Sequence, residues 1–337
     1  MVGKSNPLND PHITFAVEAV RRAGILVKSI QAHMVDTALS KEDRSPVTIA
    51  DFASQALIGR LLSITFPEDA LVGEEDSAVL QEPHSRPILD RITGFLQTIL
   101  PEATAQQTCD WIDRGTAQPG QQFWTLDPID GTKGFLRGDQ YAVALAYVDS
   151  GQVMTAALGC PNLNTDCQPD FNGTGAVLVA AHGRGTWVLP MVANGAEPEP
   201  HRLQASACRR PSEARVLRSF ESGHTNVSQI DYFAQALEIN AEPVRMDSQA
   251  KYALLAAGQG ELILRLLSPN NPDYREKIWD QAAGSLIVEE AGGKVSDLDG
   301  KPLDFTSGRT LTRNRGVLAS NGHLHAPALT ALKQIQA

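Results

Sequence analysis

The stretch Trp124-Thr-Leu-Asp-Pro-Ile-Asp-Gly-Thr-Lys-Gly-Phe135 places two carboxylates, Asp127 and Asp130, directly after a predicted strand. That strand is Phe123–Leu126, and the residues that follow it are rich in turn formers. We therefore expect both side chains to face one point. Taken alone, the stretch is equally typical of an ordinary turn, because Asp-Pro and Asp-Gly are common turn dipeptides.

Further carboxylates occur at the ends of other predicted elements. Glu74 follows a short apolar stretch, Asp51 lies in the first turn of a predicted helix, and Asp280 begins another helix. A solvated charge, a capping residue and an N-cap are the simpler explanations of these three positions. One shared site explains them together with Asp127 and Asp130, so we expect the five carboxylates to converge.

Convergence of these carboxylates predicts a metal site. At 4 Å two such charges repel each other by about 4 kcal/mol at an effective dielectric near 20, and divalent cations would remove that repulsion. All the candidate ligands are hard oxygens, which suit Mg²⁺ or Mn²⁺ and not Zn²⁺. Because clustered Mg²⁺ ions neutralise phosphoryl charge and activate water, the pattern favours hydrolysis of a phosphate ester.

The composition excludes several other classes. The chain has 337 residues, 42% hydrophobic and 20% charged, with a net charge of -10, which excludes overall disorder and argues against nucleic acid or an anionic membrane as partner. No apolar run approaches the roughly 18 residues of a membrane helix, and Met1–Asp10 has no signal-peptide pattern. The four cysteines form no Cys-x-x-Cys pair. We expect a soluble cytoplasmic protein without a disulfide scaffold or zinc site.

The first half of the chain predicts helices packed on an antiparallel sheet. Apolar spacing predicts one helix from Pro11 to about Met34 and a second from a capping box at Thr48 to about Phe66. The segment from Ser77 to Gln107 is predicted to be helical but broken by prolines. Two hairpins should follow. Their strands are Tyr141–Val148 with Val153–Leu158, and Ala176–Ala181 with Thr186–Leu189.

The second half alternates between predicted strands and helices, beyond a connector at Asn194–Pro200. This alternation indicates a layered α/β arrangement. We therefore expect an α/β protein with an α+β domain at residues 1–165, carrying most metal ligands, and an α/β domain at residues 166–337, carrying Asp280. The predicted strands are Ala214–Phe220, Pro243–Met246, Leu262–Leu266 and Val317–Ser320; the predicted helices are Ile230–Leu237, Ser248–Ala257, Asp280–Ala291 and one from about Ala326.

Three segments of the chain resemble the lithium-sensitive, Mg²⁺-dependent phosphomonoesterases that include inositol monophosphatase and fructose-1,6-bisphosphatase. They are Gly73-Glu-Glu75, Asp127-Pro-Ile-Asp-Gly-Thr132, and Trp279-Asp280 with Ala283-Gly284. They occur in the order that the superfamily has. The resemblance implies a five-layered αβαβα sandwich of the inositol monophosphatase type.

Five longer motifs are similar to the 3'(2'),5'-bisphosphate nucleotidase branch of that superfamily. This resemblance implies removal of the 3'-phosphate of 3'-phosphoadenosine 5'-phosphate to give AMP; some members also act on 3'-phosphoadenosine 5'-phosphosulfate or inositol 1,4-bisphosphate. The motifs are Ser45-Pro-Val-Thr-Ile-Ala-Asp51, Asp130-Gly-Thr-Lys-Gly-Phe-Leu-Arg137, Gly159-Cys-Pro-Asn162, Asp247-Ser-Gln-Ala-Lys-Tyr252 and Glu276-Lys-Ile-Trp-Asp280.

The resemblance also implies a role for each residue in a matching motif. Two or three Mg²⁺ ions per site are implied, and Asp51 with Thr132 would orient the attacking water. The implied ligands are Glu74, Asp127 and the Ile129 carbonyl for the first ion, Asp127, Asp130 and Asp280 for the second, and Asp51 with Glu74 for a third, looser ion. Backbone N–H groups near Gly131 can receive a phosphate if a turn or helix starts there.

A chain of net charge -10 needs local cations to bind a second phosphate. By resemblance, the 5'-phosphate meets Ser248, Lys251, Arg265 and His224. A single lysine on a helix is more often solvated, but the matched motifs favour a binding role for Lys251 and Arg265 and leave His224 open. Gln281 occurs where that branch usually has His, which leaves a contact to the base or ribose open. Trp279 either stacks near the base or belongs to the core.

Two alternatives remain at this stage. An inositol polyphosphate 1-phosphatase or inositol monophosphatase would use the same chemistry, but a substrate with one phosphate would leave Lys251 and Arg265 without a function. A non-catalytic nucleotide sensor would be expected to have lost part of the hydrolytic set, which is intact here. No dinucleotide-binding or P-loop motif occurs, and His182-Gly-Arg-Gly185 predicts a plain turn. The sequence leaves the oligomeric state open.

Overall fold

The computed structural model describes residues 8–36, 45–192, 199–220, 227–268 and 271–335. The helices are α1 Pro11–Asp36, α2 Ser45–Thr65, α3 Arg86–Gln97, α4 Ala105–Asp113, α5 Thr132–Arg137, α6 Val227–Ala236, α7 Ala250–Ala256, α8 Ala282–Glu290 and α9 His325–Gln334. Short 3₁₀ turns lie at Ala78–Gln81, Pro83–Ser85 and Pro211–Glu213. The strands are β1 Ala70–Gly73, β2 Gln122–Asp130, β3 Ala142–Asp149, β4 Gln152–Cys160, β5 Ala176–Ala181, β6 Gly185–Pro190, β7 His201–Arg202, β8 Val216–Arg218, β9 Val244–Arg245, β10 Leu262–Arg265, β11 Lys294–Ser296 and β12 Val317–Ser320.

The strands form two sheets. The first has the order β1-β2-β3-β4-β5-β6-β7 and is antiparallel except for its parallel β1–β2 pair. The second has the order β11-β12-β10-β8-β9, with parallel pairs on both sides of β8. The first sheet extends to Arg202, past the expected domain boundary at residue 165. The division into two domains stays a prediction.

Helices and sheets alternate in five layers. Helices α1 and α2 pack on one face of the first sheet, α7 and α8 lie between the two sheets, and α9 packs with α6 on the outer side of the second. The αβαβα sandwich implied by the resemblance is thereby confirmed. Residues 282–288 of α8 are all buried, as expected for a helix with a sheet on each side.

The predicted elements are present with shifted boundaries. Helix α2 begins at Ser45, so Thr48 lies inside the helix and the predicted capping box is wrong. Strand β2 continues to Asp130, so the stretch predicted as a turn is strand, with irregular pairing between Asp127 and Asp130. The sequence pattern missed α5, β7 and β11. The connector at Asn194–Pro200 lies largely outside the described residues.

Both predicted hairpins are confirmed. The first turns at Ser150 and Gly151, whose positive φ values of 52° and 80° match a tight two-residue turn. In the second, the amides of Gly183 and Gly185 donate to the carboxylate of Glu290 in α8, at 2.7 and 2.8 Å. His182-Gly-Arg-Gly185 is therefore a plain turn, since its amides are bound to the protein's own carboxylate.

All four cysteines are free thiols, in agreement with the expected absence of a disulfide scaffold. Among the described helices, none combines the length and the apolar character that crossing a lipid bilayer requires. The cytoplasmic location stays a prediction.

Candidate active site

The β1–β2 pair brings the first two acidic segments together. These strands are parallel and in register, with Gly73 opposite Leu126, so Glu74, just after β1, lies beside Asp127 of β2. Helix α2, which carries Asp51, is tied to the same point because the hydroxyl of Ser54 donates to the Pro128 carbonyl at 3.0 Å. Three of the predicted ligands therefore come from neighbouring elements.

The five predicted carboxylates lie close enough to affect one another's pKa values. Burial raises the pKa of Asp127 well above its usual range, and the negative charges of Asp130, Glu74, Asp280 and Asp51 raise this pKa further. Burial likewise raises the pKa of Asp51, Asp130 and Asp280. Buried negative charge of this density is neutralised either by protons or by bound cations. The convergence expected from the sequence agrees with these mutual effects.

The candidate donor atoms are of the type that binds divalent metal ions, although their side chains are not arranged around a single ion position. Every candidate donor is a carboxylate or carbonyl oxygen, the type that Mg²⁺ prefers. Among the residues that the structure describes, no three His, Cys, Asp or Glu side chains are grouped so that they hold a cation as they stand. The Asp130 carboxylate accepts a hydrogen bond from the backbone amide of Gln249 at 2.5 Å. Like charges resist closer approach, so binding requires the carboxylates to turn toward a cation.

Gly131 and Ser248, which belong to the two segments expected to bind phosphate, lie next to each other. Gly131 has φ of 90°, and a Cβ added there would lie 2.6 Å from the Ser248 Cβ. Only glycine satisfies both conditions. Thr132 begins α5, and its hydroxyl lies 3.5 Å from the Ile129 carbonyl, to which it donates. The residues expected to contact the two phosphates therefore lie next to each other.

Two cations lie near the carboxylates: Lys251 is buried, and the Arg265 side chain is 21% exposed. Burial and the nearby Arg265 lower the pKa of Lys251 to about 8, and its Nζ donates to the Ser219 hydroxyl at 2.9 Å. Arg265 donates to both carboxylate oxygens of Glu276, at 3.0 and 3.3 Å. Lys251 and Arg265 both lie close enough to Asp130 to oppose the rise of its pKa. His224, the remaining expected phosphate contact, lies outside the described residues.

Gln281 belongs to a buried hydrogen-bond chain. Tyr252 donates to its Oε1 at 2.5 Å, and its Nε2 donates to Glu276 at 2.8 Å. Since Glu276 pairs with Arg265, Gln281 is connected to that cation through Glu276. Trp279 is only 5% exposed, and the guanidinium carbon of Arg309 lies 4.9 Å from its ring centre, which agrees with the core interpretation of this side chain.

Two buried glutamines that the sequence interpretation missed hold the acidic segments in place. Beyond its backbone bond to Asp130, the side chain of Gln249 donates to the Trp279 carbonyl and accepts from the Gly284 amide, both at 3.0 Å. Gln55 donates to the Glu75 carbonyl at 2.6 Å and accepts from the Glu75 amide at 3.1 Å. Gln55 could have been noticed, because it lies one helical turn after Asp51.

The comparisons with known proteins agree with this fold. The inositol monophosphatase family model matches residues 8–337. A 3'(2'),5'-bisphosphate nucleotidase of Schizosaccharomyces pombe is 40% identical over 329 residues, covering 92% of each chain. One from Oryza sativa is 39% identical and covers 94% of this chain and 92% of its own.

Among solved structures, an inositol monophosphatase from Anabaena superposes with a TM-score of 0.61 at 19% identity, covering 95% of this chain and 94% of its own. That likeness concerns the fold, which is the same layered sandwich. Together with the family match over nearly the whole chain, it leads to one conclusion. The chain belongs to the inositol monophosphatase family.

Proposed function

We propose that this chain is an Mg²⁺-dependent phosphomonoesterase that hydrolyses the 3'-phosphate of 3'-phosphoadenosine 5'-phosphate to give AMP and phosphate. 3'-Phosphoadenosine 5'-phosphosulfate is a further candidate substrate. One observation carries the proposal: Lys251 and Arg265 both oppose the rise that burial causes in the pKa of Asp130, whose carboxylate is bound by the backbone amide of Gln249, two residues before Lys251. A substrate with two phosphates fits this pair of oppositely charged sites. Relatives that are 38–40% identical are 3'(2'),5'-bisphosphate nucleotidases by name, which supports the same substrate class.

The family is generally Mg²⁺-dependent, and two or three ions at this site are part of the proposal. They would be held by the buried carboxylates and one carbonyl identified above. When bound, such ions neutralise phosphoryl charge and lower the pKa of the attacking water. The proposed ligands are Asp51, Glu74, Asp127, the Ile129 carbonyl, Asp130 and Asp280.

The chain's own residues then have separate tasks. Asp51 and Thr132 orient the attacking water, the first by accepting a hydrogen bond and the second through its hydroxyl. Backbone N–H groups near Gly131 receive the phosphate that reacts. Lys251 and Arg265 hold the distal 5'-phosphate through charge-assisted hydrogen bonds, and Ser248 lies between the two phosphates.

The alternatives fit less well. An inositol monophosphatase substrate has one phosphate, which would leave Lys251 and Arg265 without a function in substrate binding. A nucleotide sensor without turnover has no need of an acidic cluster at the first phosphate. The main proposal accounts for both the carboxylates and the cations.

The test is phosphate release from four substrates, with Mg²⁺ and with excess EDTA: 3'-phosphoadenosine 5'-phosphate, its sulfated analogue, inositol 1,4-bisphosphate and inositol 1-phosphate. We expect the adenosine bisphosphate to have the highest kcat/KM, no turnover in EDTA, and inhibition by Li⁺. Asp127→Asn provides the control that phosphate comes from this site. Full turnover in EDTA, or preference for inositol 1-phosphate, would overturn the proposal.

A further inference from the structure

Arg309 lies in the loop between β11 and β12 and reaches into the first half of the chain. Its Nη1 donates to the carbonyls of Gly115 and Ala117, at 3.2 Å each, and its Nη2 donates to the carbonyl of Gly73. Gly73 ends β1 and immediately precedes Glu74, a proposed metal ligand. A planar guanidinium can donate to several acceptors at fixed angles, whereas the compact ammonium of a lysine cannot hold them in this arrangement.

The other contacts of Arg309 are with the segment that carries Asp280. Its backbone carbonyl accepts from the amide of Ile278 at 3.2 Å. Its guanidinium carbon lies 4.9 Å from the ring centre of Trp279, the residue directly before Asp280. One side chain therefore contacts the segments of two proposed ligands from different halves of the chain, Glu74 and Asp280.

We propose that Arg309 is a positioning residue for the metal site, which fixes the end of β1 relative to the Trp279–Asp280 segment so that Glu74 and Asp280 approach the same ions. This inference rests on the proposed function, since it requires that these carboxylates bind divalent metal. Arg309 touches neither ion nor substrate. Gln55 binds the backbone of Glu75, and both residues belong to the first half of the chain. Arg309 differs because it connects the first half to the second.

The test is binding of Mn²⁺ alone to the full chain, followed by the loss of the electron paramagnetic resonance signal of free Mn²⁺. Mn²⁺ is suitable because it takes the same hard oxygen ligands as Mg²⁺. Arg309→Lys keeps the charge and loses the fork, and Arg309→Gln loses both. Arg313→Gln is the matched control, since that arginine is 74% exposed and pairs with Asp304 in the same loop. Val295→Ala, a buried position in β11, controls for lost stability.

We expect both Arg309 variants to bind Mn²⁺ about 10- to 100-fold more weakly than the wild type, with wild-type affinity in both controls. Circular dichroism verifies folding, and if Arg309→Gln does not fold, Arg309→Lys decides. Unchanged affinity in Arg309→Lys overturns the proposal, as does equal weakening in Val295→Ala. Absence of Mn²⁺ binding to the wild type would instead contradict the proposed function itself.

Discussion

Asp130 is the residue at which the two expected phosphate sites meet. The Gln249 amide holds its carboxylate, and Lys251 and Arg265 lie near it on the side of the second half. We expect a carboxylate in this position to bind a metal ion next to the cations that would receive the distal phosphate. Its charge should therefore matter more for turnover than its size.

Asp130→Asn and Asp280→Asn remove one charge each from the proposed second metal position and keep the side-chain volume. If metal there stabilises the leaving oxygen, the rate should fall by about 10² to 10⁴-fold. The measurement is kcat with 3'-phosphoadenosine 5'-phosphate at saturating Mg²⁺. Asp149→Asn, in the β3–β4 hairpin, is the control. Near-normal turnover in both variants would reduce these aspartates to structural residues.

Lys251 should give the bisphosphate reaction a pH dependence that a substrate with one phosphate lacks. Burial lowers the pKa of Lys251 to about 8, so the ammonium is present below that pH and is lost as the pH rises through it. KM for 3'-phosphoadenosine 5'-phosphate should therefore rise above pH 8, whereas KM for 3'-AMP should not. Lys251→Arg should abolish the difference, because arginine stays charged. Parallel pH profiles for the two substrates would argue against this role.

Helices α7 and α8 pack closely against each other, and this contact helps to position Lys251 and Arg265. A Cβ added at Gly284 of α8 would lie 2.5 Å from the Tyr252 ring of α7, the helix that also carries Lys251. The same tyrosine donates to Gln281, and Gln281 to Glu276, so helix packing and the orientation of Arg265 are linked.

Gly284→Ala should therefore lower the free energy of unfolding by about 1 to 3 kcal/mol, because the extra methyl overpacks this contact. Urea unfolding measures the change. Gly94→Ala is the matched control: it lies in α3 with nothing within 4 Å of an added Cβ, so helix propensity should leave its stability unchanged or slightly higher. Equal effects of the two substitutions would show that the α7–α8 contact is not tight.

Elements are predicted well where a periodic apolar pattern extends over many residues. They are predicted less well where tertiary contacts determine the local structure. Helix α1 begins at the predicted Pro11, and both hairpins are in place. Strand β2 passes through Asp127-Pro-Ile-Asp130, because pairing with β3 overrides local turn propensity. Glu74, Asp130 and Asp280 lie at or next to element ends as predicted, whereas Asp51 lies inside α2 and not in its first turn, and Asp127 lies inside β2. The roles of Gln249 and Gln281 could not be predicted, since they depend on partners from other elements.

At the scale of the whole molecule, a buried histidine makes stability depend on pH. His325 lies in the second half between the hydroxyls of Ser296 and Ser320, each 2.9 Å from a ring nitrogen. Burial lowers its pKa to about 4, against about 6.5 in an unfolded chain. The unfolded state therefore binds the proton first as the pH falls, so stability present above pH 6.5 is lost toward pH 4.

The loss from His325 should reach about 3 kcal/mol between pH 7 and pH 4. We expect the free energy of unfolding, from urea titrations, to fall more steeply with acid in the wild type than in His325→Gln. His182→Gln, in the β5–β6 turn, serves as the comparison and should keep the wild-type slope. Identical slopes for the wild type and His325→Gln would contradict the assignment.

The second half of the chain brings Lys251 and Arg265 close to Asp130 of the first half, and we expect a cation site there next to the metal site. This expectation concerns the whole molecule. It is tested most directly by the ratio of kcat/KM for 3'-phosphoadenosine 5'-phosphate to kcat/KM for 3'-AMP, measured in the wild type, Lys251→Ala and Arg265→Ala. Each variant loses a charge-assisted contact worth about 1.5 to 3 kcal/mol to the distal phosphate, so the ratio should fall by about 10- to 100-fold. The same ratio in all three proteins would contradict the claim.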